Sequence, residues 1–120
     1  GKVLMLAGAE NMSGAAYFSA MAAYRMGAGM VRLATAAENR TILQSTLPEA
    51  LLTTYEKNAS DEEIERVVQA AEAFADVLVA GPGLSQGKVQ EALLWRILEQ
   101  TQWEENMKIM LSQYLNFNFC

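Results

Sequence analysis

Two short segments hold the residues best suited to meet a ligand. The first is Gly8-Ala9-Glu10-Asn11-Met12-Ser13-Gly14-Ala15 and the second is Ala80-Gly81-Pro82-Gly83-Leu84-Ser85. The first leads from an apolar run into an Ala-rich stretch, where the unpaired N–H groups and dipole of a helix start would favour a polar or anionic ligand. In the second, two glycines flank a rigid proline. The backbone there could approach a flat ligand without obstruction, and a side chain at Gly83 would project into the ligand crevice. Neither segment is a Walker A loop or the dinucleotide glycine fingerprint. On spacing alone each also reads as a turn, with Ser13 capping a helix while Gly8 and Gly14 make the bend. Glu10 and Asp76 are the acids nearest the strand ends in these regions, and both also fit ordinary surface or capping use.

Other chemistry is excluded by composition. The 120 residues include no histidine and a single cysteine, Cys120. Hydrolases with a histidine base, His-ligated or two-Cys zinc sites and intrachain disulfides lack the atoms they require. What remains is carboxylates, backbone amides, Lys, Arg and hydroxyls. Nine basic side chains against fourteen acidic ones give a formal charge of −5, and the basic ones are scattered from Lys2 to Lys108. That disfavours nucleic acid and a basic membrane-binding face, both of which need clustered Lys and Arg. At 52% hydrophobic and 19% charged residues the chain is expected to build a core in one modest domain. The absence of disulfides fits a reducing, cytoplasmic setting. No secretory leader is visible, and the start at Gly1 rather than Met is what a piece of a longer product would show. The weakly polar stretch from Ser13 to Val31 carries Arg25 and is dominated by Ala and Gly, so it reads as a buried helix rather than a membrane span.

The elements that must position the two loops follow from periodicity. KVLMLA at Lys2 to Ala7 is a continuous apolar run, as expected of a strand covered on both faces. A helix is expected from Ser13 to about Met26, closed by Gly27 as a left-handed cap, with its alanines letting the backbone approach a sheet closely. Met30 to Thr35 is a second strand and Glu38 to about Thr46 a short helix, stopped before Pro48. Ala50 to Tyr55 is a third strand. Ser60 and Glu63 form a capping box at the head of a helix running to about Phe74. Asp76 to Ala80 is a fourth strand, Lys88 to about Gln100 an amphipathic helix, and Met107 to Leu111 a fifth strand. Strands alternating with helices predict a parallel sheet with helices on its faces, whose ligands bind at the carboxyl ends of the strands.

In order and spacing, NMSGAA at Asn11 to Ala16, RMGAGMVRLAT at Arg25 to Thr35, LPEA at Leu47 to Ala50 and AGPGL at Ala80 to Leu84 form a series. It resembles the first half of the ADP/ATP-dependent NAD(P)H-hydrate dehydratase domain. The resemblance covers about Gly1 to Ile97 and outweighs the turn reading of both loops. It implies a ribokinase-like α/β fold, a parallel sheet with helices on both faces, incomplete at about the first half of the domain. It also implies repair of hydrated nicotinamide cofactors: phosphate from ADP or ATP passes to the hydroxyl of the hydrated ring and is then eliminated, restoring NADH or NADPH. The substrate contacts that it carries over are Gly14, Ala15 and Ala16 in the first loop and Gly81 and Gly83 in the second. Ser85 stands where the family usually has glycine, a departure expected to be absorbed by an already permissive loop.

The resemblance ends with the chain. Family members continue into an Asp-Ala-Asp-Ala-Leu-Asn segment, a His-Pro-Gly-Glu segment, a Lys-Gly loop and a Gly-Thr-Gly-Asp loop that holds the nucleotide phosphates and supplies the catalytic carboxylate. Here Ser112-Gln113-Tyr114-Leu115-Asn116 follows the fifth strand, and the tail at about 112–120 diverges. The expectation is therefore a partial domain over residues 1–120 with no catalytic residue and no metal ligand. ADP or ATP with magnesium would belong to the complete domain and not to this chain alone. Hydrated NAD(P)H is the expected small-molecule partner, without nucleic acid or membrane, and the complete form is expected to be a homo-oligomer. Two alternatives stand beside a truncated, inactive or substrate-binding-only dehydratase. One is a fragment of a ribokinase-like small-molecule kinase, which the NMSGAA segment disfavours; the other is a non-enzymatic dinucleotide-binding or interaction module. A redox Rossmann domain is weaker still, lacking the glycine fingerprint and its acidic ribose ligand.

Overall fold

The computed structural model describes residues 1–74, 76–99 and 108–111. Its strands are β1 (Lys2–Leu6), β2 (Met30–Ala36), β3 (Leu51–Tyr55), β4 (Val77–Ala80) and β5 (Lys108–Leu111). They pair in parallel in the order β3-β2-β1-β4-β5. The helices are α1 (Ser13–Arg25), α2 (Arg40–Thr46), α3 (Asp61–Phe74) and α4 (Lys88–Glu99), with a 3₁₀ turn over Ala37–Asn39 ahead of α2. The expected elements are thus all present. Residue 107, expected in the fifth strand, and the divergent tail at 112–120 lie outside the described residues.

Alternation along the strands builds two cores. Leu4, Leu6, Ala34, Ala36, Leu78 and Ala80 point to one face, where Ile64, Val67 and Val68 of α3 meet Leu93, Leu94 and Ile97 of α4. Met5, Ala7, Val31 and Leu33 point to the other, against Ala16 and Ala20 of α1 and Leu43 of α2. Because side chains on a strand alternate between faces, β1 must be apolar at both parities, which is why it reads as an unbroken hydrophobic run. Ala16 and Ala20 are fully buried, so α1 lies close on the sheet.

The ends of the helices show which local signals held. Ala28 N–H donates to Ala23 O and Gly27 N–H to Tyr24 O, both at 3.0 Å, around Gly27 at φ 101. This is the Schellman closure expected of a glycine one position beyond a helix. At α3, Ser60 Oγ accepts the Glu63 N–H at 3.1 Å, one half of the expected capping box. Glu63 turns its carboxylate to the Glu56 N–H at 2.8 Å instead of completing the box. Ser13 does not cap α1. It is the first helical residue, Met12 takes the cap position, and no side chain bonds the helix start.

The strand order sets the place of the site. From the central β1 the chain adds β2 and β3 on one side, then returns to add β4 and β5 on the other. The loops leaving β1 and β4 therefore run to opposite faces of the sheet, and a crevice opens between them. Register brings their ends level, because Leu6 aligns with both Ala34 and Ala80. Asp76 lies at the other edge: its carboxylate accepts the Lys2 N–H at 3.0 Å and its own N–H donates to Lys2 O at 2.9 Å. It closes the amino end of the sheet and takes no part in the site.

Candidate functional site

The two glycine loops are bonded to one another. Gly81 N–H donates to Leu6 O at 3.0 Å, Gly8 N–H to Pro82 O at 3.0 Å and Ala9 N–H to Gly83 O at 2.8 Å. The β1–β4 ladder thus continues past the strands and fixes one loop against the other. Gly83, at φ 62, is buried in this junction, where a Cβ would lie 2.5 Å from Ala15 Cβ and 3.2 Å from Met12 Cβ. The space beside Gly83 is filled by α1 and is not open crevice. A side chain there would force the loops apart instead of projecting toward a ligand.

A buried polar knot holds the first loop, and it was not singled out from sequence. Gly8 O accepts from Thr35 Oγ1 at 2.8 Å, Asn39 Nδ2 at 2.9 Å and the Ala36 N–H at 3.1 Å. Asn39 Nδ2 also reaches Ala9 O and Thr35 Oγ1, each at 3.1 Å. Thr35 and Asn39 are the buried polar residues of the described core, and their burial is compensated by these bonds. Gly8 is required twice over: it sits at φ 82, and a Cβ would come within 2.9 Å of both Ala16 Cβ and Thr35 Oγ1.

The five residues expected to touch substrate gather where the loops meet, with different exposures. Ala16 is fully buried in the core beneath α1. Gly81, at φ 129, and Gly83 are buried; Ala15 is half-buried; Gly14 is exposed, and a Cβ on it would meet nothing within 4 Å. The first turn of α1 holds no acidic residue and no side-chain cap; the Ala15 N–H donates to Met12 O at 3.2 Å, and the N–H groups of Ser13 and Gly14 ahead of it are left for water or a ligand.

Beyond the first loop, toward β2 and β3, a cleft of about 430 Å³ opens at the carboxyl ends of the strands. Glu10 and Asn11 wall it on one side, Glu38 and Lys57 on another, and Ser85 and Lys88 at the head of α4 on a third. Tyr55 lines the cleft; it is 2% exposed, and its hydroxyl has no hydrogen-bond partner. Burial, and secondarily the charge of Glu38, pushes its ionisation well above the ordinary tyrosine range. Two rim residues, Asn11 at φ 69 and Ser85 at φ 68, occupy the left-handed region without being glycine. Ser85 is therefore not absorbed by its permissive neighbours. It carries the strained angle itself, at the position where the resembled family uses glycine.

A family model described as NAD(P)H-hydrate dehydratase matches residues 3–103. The chain belongs to this family. Among curated relatives, the bifunctional NAD(P)H-hydrate repair enzyme of Leishmania braziliensis is 32% identical over 111 residues, covering 92% of this chain and 20% of that protein. The ADP-dependent (S)-NAD(P)H-hydrate dehydratase of Lactiplantibacillus plantarum is 34% identical over 109 residues, covering 91% of this chain and 37% of that protein. Among solved structures, a ribokinase-like superfamily protein of Enterococcus faecalis superposes with a TM-score of 0.74 at 27% identity, over 91% of this chain and 35% of that one. The ADP/ATP-dependent NAD(P)H-hydrate dehydratase of Bacillus subtilis, co-crystallized with ATP and Mg2+, superposes with a TM-score of 0.61 at 26% identity, over 82% of this chain and 33% of that one. The chain thus spans between a fifth and a little over a third of these relatives, and its fold is part of a ribokinase-like dehydratase domain. Among the described residues no three His, Cys, Asp or Glu side chains gather into a cluster that could hold a metal ion. No described helix is long and apolar enough to cross a membrane.

Proposed function

We propose that this chain forms the substrate-binding part of an NAD(P)H-hydrate dehydratase, with hydrated NADH or NADPH lying against the surface that Gly14 and Ala15 present and that Ala16, Gly81 and Gly83 support from beneath. The observation that carries this reading is the uncapped start of α1 held beside the Gly-Pro-Gly loop by three interloop backbone bonds. Such a helix start offers N–H donors and a positive dipole end to a polar ligand, and small residues keep the approach open. Gly14 and Ala15 supply the accessible surface. Ala16 and Gly83 act from beneath it, since their lack of bulk lets the loops close together. In the complete family reaction, ADP or ATP with magnesium would phosphorylate the hydroxyl of the hydrated ring, and loss of phosphate would restore the reduced nicotinamide. The residues of this chain bind and orient the ring; none is assigned a proton transfer. A cytoplasmic setting and a homo-oligomeric complete form belong to the same reading.

The test is a titration of the chain with hydrated NADPH, beside Gly14→Leu. A side chain at Gly14 enters open space on an exposed helical turn, so the variant should fold as the parent does while affinity falls on the order of tenfold or more. Equal affinity in the two proteins would refute the placement. In a parallel assay with ADP or ATP and magnesium, the chain alone is expected to give no recovery of reduced-nicotinamide absorbance. Nucleotide-dependent recovery would contradict the assignment of binding without catalysis.

A further inference from the structure

We infer that the cleft between the first loop and the head of α4 takes a ribosyl phosphate group of the dinucleotide, with the Tyr55 hydroxyl at its floor as a hydrogen-bond donor. This rests on the substrate reading above and extends it from the ring to the rest of the ligand. Three independent features point the same way. The first is the hydroxyl itself: buried polar groups in folded proteins are almost always bonded, yet that of Tyr55 has no partner in a residue only 2% exposed that borders a cavity.

The second is charge. Lys57 and Lys88 flank the cleft, and neither is in an ion pair among the described residues. The first α4 hydrogen bond runs from Glu91 N–H to Gly87 O, so the N–H groups ahead of Glu91 lie at the positive end of a twelve-residue helix. Ammonium groups, helix N–H groups and a neutral phenol are all donors, the set that phosphate oxygens require. Glu10 and Glu38, also in no ion pair among the described residues, are acceptors of the kind that sugar hydroxyls require. The third is conformation: Asn11 and Ser85, the non-glycine residues at positive φ among those described, both stand on this rim, and such angles persist where the surroundings fix them for use. The cleft also adjoins the proposed ring site, since residues 9–11 wall the cleft and lead directly into α1. One dinucleotide lying across that loop would occupy both.

Calorimetric titration of the chain and of Tyr55→Phe with NADPH tests this. The variant deletes one oxygen that bonds nothing in the protein, so it should fold at least as stably as the parent, and thermal unfolding checks that it does. NADPH is expected to bind the variant on the order of tenfold more weakly. Lys88→Gln should also weaken it and flatten the salt dependence of binding. Equal NADPH affinity in parent and Tyr55→Phe would overturn the inference. ADP is the second probe: if the variant weakened ADP but not NADPH, the group would belong to a nucleotide donor and the assignment to the dinucleotide would be overturned. The third probe is 1-methyl-1,4-dihydronicotinamide, the ring alone, followed through the amide signals of Gly14 and Gly81. It should shift those signals equally in both proteins. Failure to shift them in the parent counts against the ring site and leaves the NADPH comparison to decide the cleft.

Discussion

Replacing Gly83 with alanine should unfold a large share of the chain's stability from a single methyl group. Two costs add. At φ 62 the residue lies where an L side chain pays about 1–2 kcal/mol, partly offset by about 0.4–1 kcal/mol from a stiffer unfolded chain. The new Cβ would also lie 2.5 Å from Ala15 Cβ and 3.2 Å from Met12 Cβ, against ordinary contacts of 3.4–4 Å. Ala15 Cβ is fixed to a helix backbone and cannot swing aside, so relief requires the loops to separate, as overpacking does at about 1–3 kcal/mol. The net loss is about 3 kcal/mol, roughly a hundredfold in the folded-to-unfolded ratio. Urea unfolding at constant slope measures it through the midpoint. Ala15→Gly supplies the internal check: combined with Gly83→Ala it removes the 2.5 Å clash and leaves the φ part and the milder Met12 contact, so the double variant should be distinctly more stable than the two single losses added together. A Gly83→Ala protein within about 0.5 kcal/mol of the parent, or strict additivity in the double variant, would refute the packing account of this loop.

Three further outcomes follow from the same site. Ser85→Gly should stabilise the chain by up to about 1 kcal/mol in urea, because it releases a left-handed serine, less the entropy that glycine gains when unfolded. Asn39→Ala should cost about 1–3 kcal/mol in the same assay, since it removes the buried amide donor shared by Gly8 O, Ala9 O and Thr35 Oγ1 and leaves Ala9 O with the Met12 N–H. Tyr55 should make the fold alkali-sensitive. Its folded value is raised, so its contribution is fully present below 10.0, the ordinary tyrosine value, and is lost as pH rises above it; Tyr55→Phe should blunt that loss in pH-dependent melting, with the smaller effect of Tyr24 left in place.

What could be read from the sequence was what is local. The apolar run of β1, the glycine closing α1 and the Ser60 cap of α3 each depend on residues within a few positions of one another, and each element appears within a residue or two of its expected bounds. Ser13 shows the limit of that reasoning: a serine ahead of an alanine-rich helix has the right chemistry, but the turn at Met12 places it one position inside. The knot was not legible, because Thr35 and Asn39 bond a carbonyl 27 and 31 positions away, and nothing in the type of either residue names that partner. Gly83 was recognised as a residue that must be small, but the reason lies in α1, brought beside it only by the β1–β4 pairing. Tyr55 read as the end of a β-rich run; its unpartnered hydroxyl exists only once the sheet and the cleft above it are assembled.

The most direct measurement is the backbone amide spectrum of the isotope-labelled chain during titration with hydrated NADPH. Saturable shifts should centre on Gly14, Ala15 and the glycines at 81 and 83, and extend along the cleft to Lys57 and Lys88. Shifts confined to the amino edge of the sheet around Lys2 and Asp76, or none at concentrations that saturate a dehydratase of this family, would contradict the placement of a dinucleotide site at these two loops.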